Sequence, residues 1–228
     1  KVVTPRSGTP AAGYTGGTAR TFPVSYSCAL TNGPTLTATV NVSTGTPVTI
    51  PNIPTGAVCS FTEAQTAQAG DFLDASYAWD GYTFSPATVT VGNNTTVSTT
   101  VTNYFVQRRA TLTLAKVLDG GGYIGTGSPF VINWACGTES GSVNLAPGGS
   151  QTVNVPANTA CTVVETAPSE SLLEQAHDWL PATYEGLTNG TISIAPNGTG
   201  RVTVTNHTTT VYGTLSVVKR ISPADLAG

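Results

Sequence analysis

Apolar side chains recur at every second position along much of this chain. Phe22, Val24, Tyr26 and Cys28 share one phase of a two-residue repeat, and Phe130, Ile132, Trp134 and Cys136 reproduce it. Val97, Thr99, Val101 and Asn103 alternate in the same way, as do Val202, Val204 and Asn206. Successive side chains on a strand point to opposite faces, so each run predicts a half-buried strand. Asn32-Gly33-Pro34, Asn93-Asn94, Pro147-Gly148-Gly149 and Asn197-Gly198 separate the runs as turns. The one helix-like stretch, residues 170–177, aligns with 71–78 and reads as a loop or a single turn. Short strands with Gly, Pro and Asn punctuation predict an all-β chain of β-sandwich modules, each of about 100 residues.

The polar residues carry a repeat of their own. Lys1, Cys28, Cys59, Glu63 and Asn103 are followed in the same order by Lys116, Cys136, Cys161, Glu165 and Asn206. The step from Asn103 to Lys116 equals that from Asn206 to Lys219, so Lys219 reads as the start of a third copy. The expected modules are residues 1–106 and 107–209, with 210–228 as the first strand of the next. The chain thus starts and stops inside its repeat and reads as a window on a longer protein. Residues 104–109 lead straight into the next strand with no flexible Gly/Ser tether, which favours tandem modules arranged end to end as a stiff rod.

Composition narrows the functional classes. Charged residues make up 9% of the chain, against roughly a quarter in typical soluble proteins. Ser, Thr, Asn and Gly replace them, as is common in secreted, wall-associated proteins. A net charge of -3 offers no basic stripe for nucleic acid. No apolar run approaches the ~18 residues of a membrane span. Four cysteines allow three pairings. The repeat selects Cys28–Cys59 and Cys136–Cys161, because a self-contained module pairs within itself. Disulfides require an oxidising compartment, which places the chain outside the cytoplasm, at a cell surface or wall.

Strand phase turns the repeat into a chemical problem. Leu112, Leu114 and Lys116 share a face, as do Leu215, Val217 and Lys219. Cys161, Val163 and Glu165 share another, matched by Cys59, Phe61 and Glu63. The Lys, the Glu and the Asn are therefore all directed into the apolar core. Unpaired charges there cost several kcal/mol, so the groups must be paired or neutral. Burial lowers a lysine pKa and raises a glutamate pKa. A neutral amine is a nucleophile, an Asn carboxamide is an electrophile, and a protonated Glu can polarise it and shuttle protons. The product is a Lys–Asn isopeptide bond; the alternative is a hydrogen-bonded Lys–Glu ion pair beside the Asn.

Thr111-Leu112-Thr113-Leu114-Ala115-Lys116-Val117, the box Cys161-Thr162-Val163-Val164-Glu165-Thr166-Ala167-Pro168, and Val202-Thr203-Val204-Thr205-Asn206 resemble CnaB-type, prealbumin-like modules. Such modules are repeated stalk domains of Gram-positive surface adhesins and pilins, and the paired cysteines are similar to those of related actinobacterial surface repeats. The resemblance implies an Ig-like or prealbumin-like β-sandwich. It also implies a crosslink from Lys116 to Asn206 assisted by Glu165, and by position one from Lys1 to Asn103 assisted by Glu63. The first module departs from the pattern, because no Ala-Pro follows its Glu63.

Other constellations point to weaker chemistry. His177-Asp178 beside Trp179 has no counterpart at Tyr77-Ala78-Trp79 and reads as a surface histidine. Asp71, Asp74 and Asp80 match no calcium-loop spacing, so neither a metal nor another cofactor is expected. Trp79 and Trp179 recur and read as packing. Arg108-Arg109 reads as a solvated junction. Asn41, Asn93, Asn94, Asn189, Asn197 and Asn206 stand in glycosylation sequons, as chance provides in an Asn- and Thr-rich chain. The expected function is non-enzymatic: a stalk repeat of an extracellular adhesin or fibre, whose partners are neighbouring modules of the same or adjacent chains. The rivals are a module that binds a host-surface or glycan ligand, and a self-polymerising filament subunit.

Overall fold

A computed structural model describes residues 1–127 and 129–220. The chain forms two compact units. One comprises Lys1–Thr111 with Asn154–Thr159 and Ser193–Thr199; the other comprises Leu112–Val153, Ala160–Ile192 and the chain from Gly200. The fold is all-β, as the alternation predicts.

The earlier strands are β1 (Val2–Pro5), β2 (Thr21–Ala29), β3 (Thr35–Ser43), β4 (Val58–Glu63), β5 (Tyr77–Ser85), β6 (Thr88–Thr90) and β7 (Thr100–Gln107). They build one sheet in the order β1-β7-β5 and another in the order β3-β2-β4-β6. The later strands are β8 (Arg109–Asp119), β9 (Phe130–Cys136), β10 (Glu139–Leu145), β11 (Ser150–Pro156), β12 (Cys161–Glu165), β13 (His177–Trp179), β14 (Thr183–Glu185) and β15 (Thr199–Thr210). Their sheets run β10-β9-β12 and β11-β8-β15-β13, with β14 also paired to β15.

The two-residue period decides which faces close. In β2, Phe22, Val24, Tyr26 and Cys28 are buried while Thr21, Ser25 and Ala29 are exposed. In β9, Phe130, Ile132 and Cys136 are buried around an exposed Asn133. Leu112 and Leu114 from β8 and Val202 and Val204 from β15 complete the second core, each fully buried. Burying one such side chain contributes roughly 1.5–3 kcal/mol. The first core adds Phe105 from β7, around which Tyr14, Phe72 and Tyr77 gather with ring centroids 5.9–6.4 Å away.

Two details differ from the expectation, at Val97 and beyond residue 210, while the stretch expected as a loop or a single turn forms a single turn. The ladder of β7 opens at Thr100, so Val97 stays partly exposed outside it. Stretch 170–177 yields a 3-10 turn, Glu170–Leu172, and its last residue already starts β13. Ser169 caps that turn, its hydroxyl accepting from Ser171 N at 3.2 Å. A run this short cannot offset the cost of nucleating an α-helix, whereas β15 is long enough to pair His177 with Thr210 and Trp179 with Thr208. Finally, residues 211–220 form no regular element, and Leu215 and Val217 are exposed. The remainder of the segment expected to begin a third module, 221–228, lies outside the described residues.

One topological fact positions the candidate site. β1 runs parallel to β7, with Val2 opposite Thr102 and Val3 opposite Asn103. The first and last strands of residues 1–107 are therefore neighbours, and Lys1 immediately precedes the ladder, two residues before Val3, the partner of Asn103.

Candidate functional site

In the first unit, Lys1 and Asn103 come from one sheet and Glu63, the last residue of β4, from the other. The Lys1 side chain is fully buried, and its Nζ lies 2.6 Å from Glu63 Oε2. Asn103 Nδ2 donates to the other carboxylate oxygen, Oε1. A single carboxylate thus holds the amine and the carboxamide together. Asn103 Oδ1 is buried and accepts no hydrogen bond. The Phe22 ring centroid lies 4.2 Å from Nζ. Burial lowers the Lys1 pKa to about 8, against the opposing hydrogen bond and charge of Glu63. The charge of Arg20 adds to the lowering.

The second unit repeats the set with different contacts. Lys116 on β8, Glu165 at the end of β12 and Asn206 on β15 are all buried. Lys116 Nζ stands 3.4 Å from Glu165 Oε1 and donates to the carbonyls of Val117 at 3.1 Å and Val204 at 3.2 Å. The Phe130 centroid lies 4.6 Å from Nζ, the counterpart of Phe22. Burial pushes Lys116 down and Glu165 up, and in both groups it outweighs their mutual attraction. Both directions favour a neutral amine beside a protonated acid. Neither amide atom of Asn206 makes a hydrogen bond of normal geometry. A buried amide left in that condition costs roughly 1–3 kcal/mol.

The cysteines close as the repeat selects, Cys28 with Cys59 and Cys136 with Cys161. In each pair the partners stand directly opposite on adjacent strands, β2 with β4 and β9 with β12. Each bridge therefore staples two strands of one sheet, next to the Glu that ends β4 or β12.

The other sequence candidates are dispersed. Asp71 is buried against Arg20, Asp74 accepts from Ser76 N at 2.6 Å, and Asp80 pairs with Arg6 at 2.6 Å. Among the described residues no three His, Cys, Asp or Glu side chains group as metal ligands. The His177 ring packs on Gly122, where an added Cβ would come within 2.3 Å of it at a φ of +78°. Trp79 joins Tyr14, Phe22 and Phe72 in an aromatic cluster, and Trp179 meets the edge of Phe130 at 6.0 Å. Arg109 donates to the Asn154 carbonyl at 2.8 Å. Asn206 is buried, while the other sequon asparagines are exposed.

Two arrangements escape sequence reasoning. One is the buried Arg20–Asp71 pair, whose members are far apart in sequence and lack any repeat signal. The other is a surface chain in which His207 Nε2 lies 3.0 Å from Thr183 Oγ1 and Nδ1 lies 3.0 Å from Asp119 Oδ2. Asp119 is 72% exposed, so water competes for these bonds and the three residues act as a staple between β8, β14 and β15. Tyr104, the residue after Asn103, occupies the matching place, its hydroxyl 3.3 Å from Thr83 Oγ1. Among the described residues no helix is long and apolar enough to cross a membrane.

Residues 1–106 and 112–209 each match the model of a family described as a domain of unknown function, DUF5979. The chain belongs to this family. Its two DUF5979 copies carry the Lys–Glu–Asn sets described above. Among curated proteins, none matches the sequence. Solved structures similar to the chain include a bacterial adhesin from Mobiluncus mulieris containing intramolecular disulfide, isopeptide and ester bond cross-links. It is 12% identical, with 84% of this chain and 85% of that one covered and a TM-score of 0.34. The C-terminal fragment of the pilus adhesin SpaC from Lactobacillus rhamnosus GG is 10% identical, with 95% and 97% covered and a TM-score of 0.36. The major pilin T-13 of Streptococcus pyogenes is 12% identical, with 90% and 94% covered and a TM-score of 0.28.

Proposed function

We propose that this chain is a non-enzymatic structural repeat of an extracellular bacterial adhesin or fibre, a CnaB-like stalk whose modules lock themselves with Lys–Asn isopeptide bonds. The modules are read as residues 1–106 and 107–209, with 210–228 opening a third. The observation that carries the reading is the Glu63 carboxylate, which holds the Lys1 amine on one oxygen and the Asn103 carboxamide on the other, out of water.

The chemistry balances without a co-reactant. Transfer of one proton from Lys1 Nζ to Glu63 Oε2, 2.6 Å away, leaves a neutral amine and a glutamic acid; the amine attacks Asn103 Cγ while that proton moves to Oδ1, the oxygen that otherwise has no partner. The carboxylate so formed takes a proton from the attacking nitrogen and passes it to Nδ2; as ammonia leaves, the Oδ1 proton returns to Glu63, from which the departing ammonia takes it as ammonium. An N–C bond forms, the Cγ–Nδ2 bond breaks, and Glu63 ends as it began. Lys116, Glu165 and Asn206 take the same roles in the second module. Each protein performs each step once, which suits a stalk rather than a catalyst. Disulfides within each module fit an oxidising, extracellular setting.

Intact-mass spectrometry tests the reading. Each isopeptide bond removes roughly 17 Da as ammonia, and each disulfide roughly 2 Da that reduction restores. Glu165→Ala abolishes the loss in the second module and leaves its disulfide closed. A reduced mass equal to that of the unmodified sequence would establish the hydrogen-bonded ion cluster instead.

A further inference from the structure

Beside the Lys1 site lies a second buried charge pair that the crosslinking chemistry above does not use. Arg20 sits just before β2, two residues ahead of Phe22, and Asp71 lies in the loop between β4 and β5. Arg20 Nε donates to Asp71 Oδ1 at 2.6 Å, and Nη2 donates to Asp71 Oδ2 at 3.4 Å. Nη2 also donates to the Thr66 carbonyl at 2.8 Å, and Nη1 to the Thr21 carbonyl. Gln68 N donates to Asp71 Oδ2 at 2.8 Å. The pair therefore fixes the chain leaving Glu63 against the chain entering Phe22.

That placement brings two cations to one ring. Arg20 Cζ lies 4.5 Å from the Phe22 centroid, and Lys1 Nζ lies 4.2 Å from the same point. Two positive charges sharing a buried ring repel each other with little screening by water. A guanidinium does not give up its proton in a protein, whereas an amine does. The repulsion is thus relieved only at Lys1. The charged groups around Lys1 are Glu63 from β4 and Arg20 from the entry to β2, with Asp71 behind Arg20 and the Tyr14 phenol near both. The burial shift at Lys1 carries a contribution from Arg20 in the same direction.

The second DUF5979 copy lacks this device. Ser128 stands two residues before Phe130 where Arg20 precedes Phe22. Tyr14 bridges to Phe72 as Tyr123 bridges to Leu173, which sets Leu172 in the place of Asp71. The two copies thus share reactants and assistant but differ in the charge beside the amine.

We propose that Arg20, held by Asp71 against the Phe22 ring, is a positioning residue for crosslinking in the first module, biasing Lys1 toward the uncharged amine that attacks Asn103. This rests on the isopeptide reading. Bond formation follows the balanced step given above, with Arg20 exchanging no proton and forming no bond.

The test separates Arg20 from the crosslink. In an Asn103→Ala chain, where Lys1 stays free, the Lys1 Nζ titration is followed by NMR. Asp71→Asn leaves the Arg20 charge uncompensated and lowers the midpoint; Arg20→Gln with Asp71→Asn raises it by about one pH unit; Arg20→Lys keeps it near the starting value. General loosening of the core moves the midpoint in one direction only, so opposite shifts identify the charge. In chains with Asn103 intact, recovered unfolded and unreacted from inclusion bodies, refolded at pH 5.5 to 9.5 and digested, the Lys1–Asn103 peptide is counted against Lys116–Asn206 as internal control. At neutral pH the double variant forms the first bond about tenfold more slowly and the second at the original rate. An unchanged titration in both Asp71→Asn and the double variant overturns the proposal. A titration that shifts as stated in a parent chain that never forms the bond overturns the crosslink reading, and the positioning role with it.

Discussion

A lysine amine sealed from water keeps its proton only if a partner replaces the lost hydration. Lys1 has that partner in Glu63, yet its pKa still falls to about 8, because burial outweighs the pairing. The unfolded chain holds the lysine proton up to about 10.5, so between these values it binds more protons than the folded chain. Stability of an uncrosslinked first module therefore rises with pH across this window, by up to ~1.4 kcal/mol per pH unit. Urea titrations of Asn103→Ala at pH 7.5, 8.5 and 9.5 measure it; a midpoint that stays level or falls contradicts the shift. The carboxyl partner gives a second residue-scale prediction. Glu165→Gln preserves the shape of the side chain but carries no acidic proton. Crosslinking of Lys116 to Asn206 should slow by ~10²–10⁴-fold while the fold persists. Peptide mapping over time after refolding reads this rate, and a variant as fast as the parent removes Glu165 from the chemistry.

At the scale of elements, the disulfides and the proposed isopeptide bonds act at different places. Each disulfide joins neighbouring strands of one sheet, β2 to β4 or β9 to β12, closing loops with sequence separations of 31 and 25. Replacing Cys136 and Cys161 by serine should cost about 3 kcal/mol in the second unit, mainly through a less constrained unfolded chain. Calorimetry of variants with Asn206→Ala isolates that cost, and an unchanged transition argues against it. The alternation in β2 and β9 and the burial of Lys116, Glu165 and Asn206 are legible in the sequence because a strand has one period and a core admits one face. The cysteine pairing is legible because the repeat supplies a second copy against which to check it. The parallel pairing of β1 with β7 is not legible, since hydrophobic phase says which face is buried but not which strand lies alongside. Arg20 and Asp71 escape for a related reason. Each follows no strand period, they meet only through loops, and the second copy has neither. The chain Thr183–His207–Asp119 likewise joins three strands, β14, β15 and β8, through residues that no local pattern brings together.

For the whole molecule, what matters is where tension would run. A bond from Lys1 to Asn103 joins the first strand of its module to the last, and one from Lys116 to Asn206 does the same in the second. Force entering such a module along its first strand leaves through the crosslink, and the residues between carry none of it. Without the crosslink, the same force peels the strands apart and lengthens the chain by about 3.3–3.6 Å per residue freed. Pulled at both ends, the Glu63→Ala, Glu165→Ala chain should therefore extend in two steps of roughly 30–35 nm each after reduction. With the disulfides closed, the loops between the paired cysteines stay shielded, and the steps should shorten to roughly 20–25 nm. The parent chain should show neither step, oxidised or reduced, up to forces that rupture its attachments. Steps of either size in the parent would mean that tension passes through the sheets and not through Lys1–Asn103 and Lys116–Asn206, which would remove the mechanical argument for a stalk.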